Sequence, residues 1–124
     1  MITRVMHTLK YIINAIPPSN NQFIGRNVRW KYQEVKKQWA DRINIVCRPK
    51  PLQPYKKAVV TLTYYFKDKR RRDPDNYSGK MILDGLVRAG ILQDDSFNNI
   101  DLLLRGNYDK DNPRTEIEIK GDNL

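Results

Sequence analysis

Ten consecutive residues, 57–66, restrict the fold more than any other part of the chain. Ala58, Val60, Leu62, Tyr64 and Phe66 alternate with Val59, Thr61, Thr63 and Tyr65. β-Branched and aromatic residues at period two specify a β-strand. Both of its faces are apolar or β-prone, so the strand is expected in the interior of a sheet.

The remaining segments supply its neighbours. Residues 8–16 place Leu9, Tyr11, Ile13 and Ala15 on one face and read as a strand, ended by Pro17-Pro18-Ser19-Asn20-Asn21. Residues 29–46 carry an apolar stripe of Val35, Trp39, Ile43 and Val46, with Lys31, Lys36, Lys37 and Arg42 mostly off it, which predicts a helix. Pro49, Pro51 and Pro54 mark a loop. Residues 75–89 predict a second helix. Asp75 or Asn76 caps it, Leu83, Leu86 and Val87 face the core, and Gly90 sits just past its end. Residues 97–105 form a strand through Ile100, Leu102 and Leu104. Residues 114–120 form another, with Thr115, Ile117 and Ile119 inward, and a frayed tail follows from Gly121. The order is β-α-β-α-β-β. It gives an α/β (α+β) fold with a mixed sheet and two main helices, as a single domain over residues 1–124.

Charge narrows the function. The 124 residues carry a net +9, divided as +14 over residues 1–72 and −5 over residues 73–124. A basic surplus of this size attracts a polyanion through Coulomb forces and counterion release. No apolar run approaches the roughly 20 residues that span a bilayer, and Met1-Ile2-Thr3-Arg4 opens no signal-like stretch. Cys47 is the sole cysteine, so no intrachain disulfide can form, and a cytoplasmic location is expected. Nothing resembles a zinc site, a nucleophilic triad or a P-loop.

The chemistry concentrates in Lys69-Arg70-Arg71-Arg72-Asp73-Pro74-Asp75-Asn76, where four cations meet two carboxylates between a strand and a helix. Pro74 keeps Asp73 extended, and residues two apart in extended chain project together. Neighbouring carboxylates repel unless a cation lies between them, and Mg²⁺ suits such oxygen ligands. Asp94-Asp95 supplies more carboxylate after the second helix. Lys80, Asp84 and Arg88 form a polar stripe along that helix. Plainer roles exist for each residue. Asp75 can be a helix cap and Asp73 a partner for the arginines. Asp84 can be a helical ion-pair partner of Lys80 and Arg88, and Asp94-Asp95 a solvated turn. Trp39 and Tyr64 read as core residues, and His7 has no assigned role. Arginine forks match phosphate geometry, so Arg70, Arg71 and Arg72 beside carboxylates suggest a phosphate clamp.

The ordered set of motifs resembles the RusA family of Holliday junction resolvases. Arg70-Arg71-Arg72-Asp73-Pro74-Asp75-Asn76 is similar to its R-x-D-x-D-N, Leu83-Asp84-Gly85-Leu86 to its L-D-x-L, and Asp94-Asp95 to its closing acidic pair. Pro17-Pro18-Ser19-Asn20-Asn21 resembles its N-terminal P-P-S-x-N. The resemblance runs from about Leu9 to Ile119. It implies a homodimeric, Mg²⁺-dependent endonuclease that cuts four-way DNA junctions, of bacterial or prophage origin. The implied metal-binding and catalytic aspartates are Asp73, Asp75 and Asp95. Lys80 is the implied catalytic lysine, and Lys69, Arg70, Arg71, Arg72 and Asn76 are DNA contacts. One departure precedes Lys80: Tyr77-Ser78-Gly79 stands where the family has two residues. An inserted residue turns a helix by about 100°. Either Gly79 lets an unwound first turn absorb it, or Lys80 is displaced. A non-catalytic nucleic-acid-binding module and a Mg²⁺ enzyme acting on free nucleotides are the other readings. The acidic pairs count against the first and the wide basic surface against the second.

Overall fold

The structure, a computed structural model, describes residues 7–25 and 28–122. The residues inspected for a leader, Met1 to Arg4, and the last two residues of the expected tail lie outside them. Four strands and two α-helices are formed among the described residues: β1 (His7–Ile13), α1 (Arg29–Val46), β2 (Lys57–Phe66), α2 (Lys80–Arg88), β3 (Ile100–Tyr108) and β4 (Arg114–Asp122). The order is the β-α-β-α-β-β that the sequence specifies. Short 3-10 turns at Asn20–Phe23 and Pro74–Tyr77 precede the helices.

The sheet runs β1-β4-β2-β3, so β2 is interior as its two-sided apolarity requires. β1 and β2 both pair antiparallel with β4, whereas β3 lies parallel to β2, with Ala58 opposite Ile100 and Phe66 opposite Tyr108. Register sets two faces. Tyr11, Ile117 and Leu62 align across one face, with Ile119 and Val60 in the next row. These side chains are at most 3% exposed and pack with Trp39, Ile43, Ile82 and Leu86 of the helices. Burying an aliphatic side chain of this size stabilises by about 1.5–3 kcal/mol. The other face carries Lys10, Glu118, Thr61 and Leu103 in one row, none of them buried.

Several boundaries differ from those expected. The α1 stripe ends on buried Cys47, four residues after Ile43, while Val46 is 44% exposed. The second helix is shorter than residues 75–89. Pro74 opens a separate 3-10 turn, and Gly79 adopts φ +80° before α2 starts at Lys80. Asp75 and Asn76 therefore do not cap α2, which has no side-chain cap. A side chain at Gly79 would also meet Leu62 Cδ1 at 2.3 Å. Gly90, at φ +78°, does close the helix as expected. The tail is ordered through Asp122, because Gly121 packs under the Tyr55 ring.

Candidate active site

The basic segment leaves β2 through Asp68, which organises it. Asp68 Oδ1 accepts from the Arg70 N–H at 3.1 Å and pairs with Arg72 Nη2 at 2.9 Å. These contacts, the Arg70 N–H first, hold the Asp68 carboxyl below the usual carboxylate range. Arg72 Nη1 donates to the Asp68 and Arg70 carbonyls at 3.1 and 3.0 Å, and its guanidinium lies 4.3 Å from the Phe66 ring centre. Arg72 is thus bound into the loop. Lys69 places its ammonium 5.3 Å from the Tyr108 ring centre. Arg71 stays outside, 89% exposed, with Nε 3.4 Å from Asp73 Oδ1. Arg70, Arg71, Arg72, Asp73 and Asn76 line an open groove of about 490 Å³, joined by Ser19 and Asn21 from the Pro-Pro-Ser-Asn-Asn loop.

Asp73 is extended, at φ −103° and ψ 140°, as the following proline dictates. Asp75 lies inside the 3-10 turn, so the same-side projection of an extended chain does not apply to the pair. Asn20 secures this turn. Its amide donates to the Asp75 carbonyl at 2.9 Å and to Ser78 Oγ at 3.3 Å. Beyond the motif resemblance, no pattern of residues signals this role.

A second charged cluster forms between the helices. Gly85 lets α2 approach α1 so closely that an added Cβ would sit 2.6 Å from Ile43 Cδ1. That approach brings Lys36 to Asp84, with Nζ 3.4 Å from Oδ2, and Lys80 Nζ reaches the same oxygen at 3.6 Å. The Asp84 side chain is 19% exposed, and Oδ2 is buried without a hydrogen-bond donor. Asp84 therefore faces the helix junction, while Lys80 reaches it from the solvent side. Asp95 lies beside Asp84. Burial first, then the Asp84 charge, raise its pKa above the ordinary carboxylate value. The loop is pinned by Asp95 N–H donating to Asp94 Oδ1 at 2.8 Å and by the Asn99 amide donating to the Lys56 carbonyl at 2.9 Å. Lys36 was read only as a residue off the apolar stripe; helix packing, which one sequence does not display, gives it this place.

The expected carboxylates fall in two places. Asp73 and Asp75 follow the C-terminal end of β2, and Asp95 precedes the N-terminal end of β3. The two strands are parallel, so these are opposite ends of the sheet. Asp73 shares a small cavity with Leu104, Arg105 and Gly106 of β3. Among the described residues, no three Asp, Glu, His or Cys side chains form a group that could hold a metal ion. Lys80 opens α2, and Gly79 stands outside the helix at φ +80°. No helix among the described residues is long and apolar enough to cross a membrane.

Comparison with known proteins gives a family. The family model described as endodeoxyribonuclease RusA matches residues 13–120, which include the groove, both helices and all four of the acidic residues Asp73, Asp75, Asp84 and Asp95. Curated proteins yield no match. The chain belongs to the RusA endodeoxyribonuclease family.

Proposed function

We propose that this protein is a Mg²⁺-dependent endonuclease that resolves four-way DNA junctions by paired symmetric nicks, in recombination and repair. It acts as a homodimer in the cytoplasm of a bacterium, from a bacterial or prophage gene. The family match over residues 13–120 carries this reading. The groove where Arg70 and Arg71 stand beside Asp73 supports it.

The donor chemistry fits a hard divalent cation. The ligands are carboxylates, which Mg²⁺ prefers, and it commonly needs only one or two of them with water completing the shell. Burial first, and then the neighbouring Asp84 charge, disfavour the ionised form of Asp95, which a cation would stabilise. Asp73, Asp75 and Asp95 would hold the ion. One chain keeps these residues at opposite ends of its sheet, so a two-fold dimer would unite Asp73 and Asp75 of one protomer with the partner's Asp95. A divalent ion held there supplies a water of lowered pKa and neutralises charge on the scissile phosphate.

The chain's own cations do the rest. Arg70 and Arg71 grip phosphates flanking the cut, and their forks favour bidentate contact. Lys69 and Asn76 extend the backbone contacts, and Arg72 holds the loop in shape. Lys80, 62% exposed, offers its ammonium to charge developing on the phosphate. Phosphate contacts carry no base sequence, so junction choice rests mainly on shape and deformability. Two sites related by a two-fold match two symmetric strands of the junction.

Incubation of a labelled four-way junction with the protein tests the reading. Paired nicks are expected with Mg²⁺ and none with a chelator, while Asp73→Asn binds the junction without cutting. Tight binding with no nicking under any divalent ion would reduce the protein to a binding module.

A further inference from the structure

The ring of Phe97 is fully exposed, at 102%, so it adds no burial energy to the fold. It stands in the turn between Asp95 and β3. Turns favour residues such as Ser and Asn, whose short polar side chains bond the nearby backbone. Ser96, Asn98 and Asn99 follow that rule, and Phe97 does not. The turn itself is firmly tied. The Asn99 and Ile100 N–H groups both donate to the Ser96 carbonyl at 3.0 Å, and Ser96 Oγ donates to Asn99 Oδ1 at 2.6 Å. The Asn99 amide donates to the Lys56 carbonyl at 2.9 Å, which anchors the turn to the start of β2. The fold thus holds an aromatic ring out in water, two residues after Asp95.

The ring borders an open groove of about 280 Å³ at the Asp95 end of the sheet. Lys57, Lys120, Asn98, Asn99, Asp101 and Asp122 complete the lining. Two ammonium groups and two carboxylates cancel in formal charge, so this groove has no general pull on a phosphate backbone. In that it differs from the arginine groove beside Asp73. It offers instead a bare π face, with amides and lysines around it. This set fits one ligand chemistry: a nucleobase out of its stack, with its own phosphate near the lysines. Aromatic side chains stack on bases with little regard to sequence, because every base has a π face.

Intact duplex does not present such a face, since each base is covered by its neighbours. A branch point interrupts the stack, and a base already short of partners costs least to expose. We propose that Phe97 stacks on a base at the branch point of the DNA, with Lys57 and Lys120 beside the phosphate of that nucleotide, and so favours branched DNA over duplex. The substrate class rests on the reading given under Proposed function. Selection by shape thereby acquires a named side chain.

Binding of the full chain to a four-way junction and to a linear duplex, both in chelator, tests the proposal apart from cleavage. Phe97→Ala should weaken junction binding roughly tenfold or more and leave duplex binding unchanged. Phe97→Trp should keep the wild-type preference. Phe97→Leu, apolar without a π face, should lose it. Single abasic sites scanned along the nucleotides bordering the branch point locate the partner. At one position the wild type should lose as much affinity as Phe97→Ala loses on the intact junction, and there Phe97→Ala should lose nothing further. Junction binding unchanged by Phe97→Ala, equal losses on junction and duplex, full retention by Phe97→Leu, or no abasic position with this behaviour would overturn the proposal. Stacking without nicking in Mg²⁺ would remove the nuclease reading alone. Nicking with a junction preference indifferent to Phe97 would remove this one alone.

Discussion

At the scale of single residues, the charged groups divide into those that shape the site and those left to face a ligand. Arg72 belongs to the first kind, held by the Asp68 carboxylate, two carbonyls and the Phe66 ring. Arg71, exposed beside Asp73, belongs to the second. Asp95 opposes folding. Its folded pKa is raised, so between its unfolded and folded values the native state binds more protons, and stability falls as pH rises through that window. Asp95→Asn should therefore raise Tm at neutral pH without divalent ions. The gain should shrink as the pH falls through the raised folded value, and thermal melts across that range check it. A lower Tm at neutral pH would show that burial and Asp84 do not disfavour the Asp95 charge. The residue types of the site were legible in sequence, since Arg-Asp-Pro-Asp-Asn and the acidic pair announce themselves. Their commitments were not, because an arginine used internally and one left exposed look alike in a run of three.

At the scale of elements, the α1–α2 contact fixes the Lys36, Asp84 and Lys80 cluster. Gly85 sits where α2 meets Ala40 and Ile43 of α1. Gly85→Ala should cost about 1–3 kcal/mol, as overpacking does, although alanine is the better helix former. Denaturant melts measure this, and an unchanged or higher midpoint would mean that the helices part easily. The α1 limits, 29–46, and the β2 limits, 57–66, follow directly from their periodicity. β3 was expected at 97–105 and lies at Ile100–Tyr108. Its leucine-rich alternation carries no stop. The shift arises because Asn99 and Ile100 N–H both donate to the Ser96 carbonyl at 3.0 Å, closing a turn before the strand. The second helix lost its first turn to Pro74 and Gly79, whose joint effect is clear only once Gly79 is seen at positive φ.

At the scale of the whole molecule, one topological fact governs the site. The β2-α2-β3 crossover makes β2 and β3 parallel, so Asp73 and Asp75 stand at one end of the sheet and Asp95 at the other. The element order and mixed sheet could be read from the sequence. Which strands lie adjacent, and in which direction, could not, because neither periodicity nor turn chemistry encodes it. On the proposed reading, an acidic set divided in this way would need two chains for each site. Mixing two inactive variants measures that need most directly. Asp73→Asn and Asp95→Asn should each fail to nick a four-way junction with Mg²⁺. Mixed and allowed to exchange subunits, they form heterodimers in which one site carries both substitutions and the other carries neither, so nicking should return. Persistent inactivity of the mixture, with both variants dimeric and bound to the junction, would contradict a site shared between chains.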